Sequence, residues 1–142
     1  MRNASGVEYP GIILIRAGRY LTPRDPVFII TVAHEVAHQW WYNVVGSDVF
    51  QEPWLDEGLT TYSSGIYYEF AVGRQAFNEV FSYWQTSVDR LLQEERDVPI
   101  TWSLREFEQN APEAYAPVAY SKAALFLDAL RKEIGDDAFF AA

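Results

Sequence analysis

The chain has 142 residues, 49% of them apolar and 16% aromatic, enough to build the core of one domain. Its formal net charge of −9 argues against nucleic acid and anionic membrane surfaces as partners, because phosphate contacts need clustered Lys and Arg. There is no cysteine, so disulfides and thiolate metal sites are excluded.

In chain order, residues 7–16 (V-E-Y-P-G-I-I-L-I-R) predict a strand, with Pro10 at an edge or a bulge because it cannot donate to a ladder. Asp25 and Pro26 are an N-cap and first-turn pair, and the helix they open is expected to run to about Val45, with Gly46 as its C-cap. That helix is apolar nearly all round, which predicts that it lies inside the protein. Pro53 opens a second helix that ends near Gly73. The third, about Arg74 to Arg96, carries Phe77, Val80, Phe81, Trp84, Val88, Leu91 and Leu92 at helical spacing. Residues 97–117 are Pro-rich and predict irregular chain. A fourth helix is expected over about 117–134, closed by Gly135, and G-D-D-A-F-F-A-A starts another. Trp40, Trp41, Trp54 and Trp84 are expected to be core, or buried against domains outside this chain, rather than a substrate box. No apolar run approaches the ~18 residues of a membrane span, and the N-terminus has no signal-peptide pattern. We expect the chain to be an internal piece of something longer, with the compartment left open.

The chemistry is concentrated in V-A-H-E-V-A-H-Q-W-W, residues 32–41, which holds both histidines of the chain. On a helix, positions i and i+4 lie ~40° apart around the axis and ~6 Å apart along it. His34 and His38 therefore point the same way and can grip one metal ion. Glu35 is ~100° round from His34, where a carboxylate can flank the ion without binding it. This is the content of H-E-x-x-H: two zinc ligands and a general base. The plainer alternative is a pair of buried, hydrogen-bonded histidines. It leaves three polar groups in an apolar helix with no shared purpose, and burying them unpaired is costly.

A catalytic zinc takes three protein ligands and keeps one position open. With no third His and no Cys, the third ligand must be Asp or Glu. W-L-D-E-G-L-T-T-Y, residues 54–62, offers Glu57, with Asp56 as the competing choice. Both acids also suit the first turn of a helix on dipole grounds alone.

Taken together, H-E-V-A-H-Q-W-W, an 18-residue gap and E-G resemble the gluzincin signature of the M1 zinc aminopeptidases, of the membrane alanyl aminopeptidase type. The resemblance makes Glu57 the third zinc ligand and implies one Zn²⁺ per chain. Asn43 matches the Asn of the family's H-Q-W-F-G-N. Gly6 with V-E-Y-P-G resembles the exopeptidase segment, whose glutamate, here Glu8, binds the substrate's free α-amine. V-A-Y-S-K-A, residues 118–123, resembles the stretch whose tyrosine, here Tyr120, stabilises the tetrahedral intermediate. Val7, Tyr9, Asp56 and Trp41-Tyr42 depart from the usual residues.

What the resemblance implies is an α+β, thermolysin-like catalytic domain over residues 1–142, without the N-terminal β domain and C-terminal helical domain of full-length members. The implied partners are a peptide with a free N-terminus and those missing domains. The implied reaction is hydrolysis by water that zinc activates and Glu35 deprotonates. Two other readings stay open: an endopeptidase, and a non-enzymatic zinc-binding module derived from the family.

Overall fold

The computed structural model of the chain describes residues 5–141. Its first segment is a hairpin rather than the single strand predicted over 7–16. β1 (Gly6–Tyr9) and β2 (Ile12–Ile15) pair antiparallel, with Glu8 opposite Ile13, and the chain reverses through Pro10 and Gly11. Pro10 therefore sits in the turn, where a missing N–H costs nothing. The Gln39 amide clasps this turn to the helix behind it, accepting from Gly11 N at 2.8 Å and donating to Tyr9 O at 3.1 Å.

α1 (Pro26–Ala37) begins as expected, with the Asp25 carboxylate accepting from Val27 N at 2.9 Å. It ends eight residues sooner than predicted, at Ala37 rather than Val45. The Asn43 side chain donates to the His38 carbonyl at 2.9 Å, and Tyr42 turns left-handed at φ 81°. The carbonyl that would continue the helix is thereby taken, and Gly46 caps nothing. Nor is α1 enclosed: Glu35 is its one buried residue, while Val27, Val36 and, just beyond the helix, Trp40 are exposed. Only α2 and the hairpin cover α1 closely, which leaves its outer apolar side as the wall of an open groove with Ser63 and Tyr67.

α2 (Pro53–Ala71) and α3 (Arg74–Gln93) match the prediction to within a few residues. The stretch predicted as irregular contains α4 (Leu104–Asn110). Its signal was legible: Ser103 accepts from Glu106 N at 3.3 Å while Glu106 accepts from Ser103 N at 2.7 Å, a capping box. The predicted fourth helix is two pieces, a π-helical segment at Ala116–Lys122 and α5 (Ala123–Ile134). Pro117, which has no N–H, stands at the start of the widened turn. α6 (Asp136–Ala141) follows Gly135.

The chain is thus mostly helical with one two-stranded sheet among the described residues. α2 is the central helix and packs against α1, α3, α5 and the π segment. The main core joins Tyr62, Tyr68, Phe77, Trp84 and Leu127, and a second cluster gathers Leu91, Phe107, Ala114 and Val118. Of the tryptophans expected in the core, Trp84 is buried; Trp41 and Trp54 are partly covered and Trp40 is exposed. No helix among the described residues is long and apolar enough to cross a membrane.

Candidate metal centre

His34 lies in the last turn of α1 and His38 is its C-cap, so the helical offset aims both rings at one point. Their Nε2 atoms are 3.2 Å apart. Glu57, near the start of α2, brings Oε2 to 3.2 Å from His34 Nε2 and 3.5 Å from His38 Nε2. Three donors bound to one tetrahedral zinc at ~2.0–2.2 Å would stand roughly 3.3–3.6 Å from one another. The observed spacings fit that ligand set.

The electrostatics point the same way. For His38, burial opposes the charged ring, yet hydrogen bonds to Asp56 and Glu57 outweigh it and push the pKa up to about 10. For Glu57, burial opposes the carboxylate, yet hydrogen bonds from His34 and His38 bring it down to about 2. Carboxylates and imidazoles are gathered around a point where positive charge is favoured, and a dication would supply it.

Glu35 is buried beside this cluster, and burial raises its carboxyl above the usual carboxylate range against the opposing pull of His34 and His38. Glu8, on β1, brings a carboxylate oxygen within 4.8 Å of both Glu35 and His38 donor atoms. Gly6 is where β1 passes closest to α1: a Cβ there would overlap the Glu35 side chain. Only glycine lets the strand lie this close to the Glu35 side chain.

Tyr120 comes from the π segment. Its ring lies parallel to His34 at 5.7 Å, and its hydroxyl donates to Glu57 Oε1 at 2.5 Å. Burial and the Glu57 charge raise its pKa, so it stays a protonated donor. This approach depends on a close helix crossing. A Cβ on Gly58 would collide with that of Ala123.

Three neighbours were not singled out in the sequence, and a fourth, Trp41, was noted there as a core candidate and as a departure from the family's usual residue. Thr60 Oγ1 lies 3.2 Å from His38 Nδ1, Tyr115 packs edge-on to Tyr120 at 5.8 Å, Gln39 holds the hairpin, and Trp41 Nε1 donates to Ser63 Oγ at 2.9 Å. Thr60 follows Asp56 by four positions, so helical spacing alone placed it on the same face. Asp56, weighed as a rival ligand, is turned to the back of His38, with Oδ1 at 2.9 Å from Nδ1.

The sequence model of the peptidase family M1 domain matches residues 3–142. Human endoplasmic reticulum aminopeptidase 1 is 31% identical over 115 residues, which is 78% of this chain and 12% of that protein. Leucine aminopeptidase 2 of Aspergillus oryzae is 27% identical over 135 residues, 94% of this chain and 22% of its own. Endoplasmic reticulum aminopeptidase 2 of Bos taurus is 28% identical over 140 residues, 98% and 15%. The chain thus spans between 12% and 22% of the length of these relatives. No solved structure gives a significant match.

Proposed function

Because this chain belongs to peptidase family M1, we propose that it is the zinc-binding catalytic part of an aminopeptidase and removes N-terminal residues from peptides. The observation that carries the reading is the convergence of His34, His38 and Glu57 at 3.2–3.5 Å, with buried Glu35 alongside. The two histidines and Glu57 would hold one Zn²⁺ per chain. When bound, such an ion supplies Lewis acidity toward a carbonyl oxygen and makes water acidic enough to be deprotonated near neutral pH.

The chain's own groups do the rest. Glu35 takes the proton from the attacking water and passes it to the leaving amine. Tyr120 turns its hydroxyl from Glu57 toward the developing oxyanion. Glu8 pairs with the substrate's α-ammonium, which sets the cut one residue from the end. Gly6 keeps β1 close to Glu35, and β1, paired only with β2 among the described strands, leaves its other edge for an extended peptide. We further infer from the family resemblance that the domain is thermolysin-like and works within a larger protein, beside an N-terminal β domain and a C-terminal helical domain.

The test uses the full chain. Elemental analysis is expected to find about one zinc per wild-type chain and little in Glu57→Ala. Aminoacyl anilides with free N-termini should be cleaved and their acetylated forms should not. Glu35→Gln should keep its zinc and lose about 10²–10⁴-fold in turnover, the usual span of general-base contributions. Equal cleavage of acetylated substrates would overturn the exopeptidase reading, and undiminished turnover by Glu35→Gln would remove the base from Glu35.

A further inference from the structure

Asp56 is a buried carboxylate that the proposed reaction does not use. It is 7% exposed, and its Oδ1 has no hydrogen-bond partner of regular geometry. A buried acceptor left in that state is costly unless something uses it. The group beside it is His38 Nδ1, at 2.9 Å, the ring nitrogen facing away from Glu57 and His34. Thr60 Oγ1, fully buried one helical turn along α2, approaches the same nitrogen at 3.2 Å. Thus one ring nitrogen of His38 faces the ligand cluster and the other faces two oxygens of α2.

We propose that Asp56, with Thr60, is a positioning pair: its carboxylate accepts from Nδ1–H and locks the His38 ring so that Nε2 faces the metal. This deepens the zinc reading above and rests on it. The chemistry is specific. A ligating imidazole must offer a bare nitrogen, so its proton must sit on the other one, and an acceptor behind the ring selects that tautomer. Among the described residues no carboxylate pairs with His34 Nδ1, so the lock acts on one of the two histidines. Asp56 is thereby assigned as a support for the ligand set rather than as a member of it, although it adjoins Glu57 in sequence.

The experiment compares the full-length wild type with Asp56→Asn and Asp56→Leu. Zinc affinity is read by competition with a chromophoric chelator. The Nδ1–H proton of His38 is read by NMR in the zinc-loaded protein, where only two histidines contribute. Asn keeps an oxygen acceptor, so Asp56→Asn should retain most of the affinity and the slowly exchanging Nδ1–H signal. Leu keeps the volume without the acceptor, so Asp56→Leu should bind zinc about 10–100-fold more weakly and lose that signal. Circular dichroism of the metal-free variants reports on folding, and the wild-type Nδ1–H signal tests the idea even if the Leu variant unfolds. A Leu variant equal to wild type in both readouts would sink the proposal alone, leaving the zinc site intact. So would an Asn variant as weak as Leu that keeps the Nδ1–H signal, because affinity would then not follow the orientation of the ring. A wild-type chain that takes up no zinc would overturn this inference together with the site it supports.

Discussion

Tyr120 spends its hydroxyl on Glu57. Its 2.5 Å bond to Glu57 Oε1 leaves the other carboxylate oxygen, Oε2, facing the histidines. The phenol is held in its protonated form by burial and by the Glu57 charge, so it remains a donor across the working pH range. Removing one donor to an oxyanion typically costs about 10²–10³ in rate. Tyr120→Phe is therefore expected to lower kcat by about that factor with zinc content unchanged, measured by steady-state kinetics beside elemental analysis. A normal kcat would reduce Tyr120 to a prop for Glu57. At this scale much was legible: the i, i+4 histidines and the absence of other nitrogen or sulfur ligands confined the search to acids near residue 57. Spacing alone left the choice between the two adjacent acids open, because it depends on how α2 is rotated against α1; the family resemblance pointed to Glu57, and Glu57 is the acid that faces the histidines.

Elements bring these residues together only where they approach closely. Gly58 is the point where α2 meets α5, and added volume there has nowhere to go. Gly58→Ala gains about 0.5–1 kcal/mol of helix preference but overpacks the crossing at a cost of about 1–3 kcal/mol. The net expectation is a loss of roughly 1 kcal/mol in stability, with lower turnover as the π segment and Tyr120 shift off Glu57. Urea unfolding and kinetics on the same variant check both parts, and a stabilised, fully active Ala variant would show that the crossing has slack. The early end of α1 follows from a similar competition. Asn43, five residues beyond the predicted metal motif's last histidine, captures a backbone carbonyl by its side chain, and an apolar run of V-A-H-Q-W-W-Y-N-V-V carries no warning of it. α4 is the reverse case, since S-L-R-E spelled its capping box and the prolines around it obscured it.

Across the whole molecule, Arg131 ties the C-terminal helices to the centre. It is 5% exposed, donates to Glu69 Oε2 of α2 at 2.7 Å and to both Asp136 oxygens of α6 at 2.8 and 2.9 Å, and lies over the Phe140 ring. Removing one partner of a buried pair leaves the other charge stranded. Arg131→Met is expected to cost about 3 kcal/mol, seen as a lower denaturation midpoint at constant slope. Arg74 also reaches Glu69 and moderates the loss. The metal cluster lies at the opposite end of α2 from Glu69, so zinc binding should survive this change. The open apolar side of α1 is also a property at this scale, since hydrophobicity predicts that a helix seeks cover and only the arrangement of neighbours decides whether it has any.

By itself the sequence determined the candidate chemistry of this protein: the types of the candidate ligands, their helical spacing, the flanking Glu35, and the family those residues resemble. These are local patterns, and periods of 3.6 residues fix which side chains share a face without reference to the rest of the chain. The tertiary structure alone decided that β1 folds back into a hairpin against Glu35, that α1 stops at the second histidine, that Tyr120 rides on a π turn, and that Asp56 stands behind His38 instead of beside Glu57. The end of α1 rests on a side chain five residues on, and the others depend on contacts between residues far apart in the chain, from Gln39 on the hairpin turn to Gly58 against Ala123. Their energies belong to pairs, and a pattern read along one strand of sequence does not contain them.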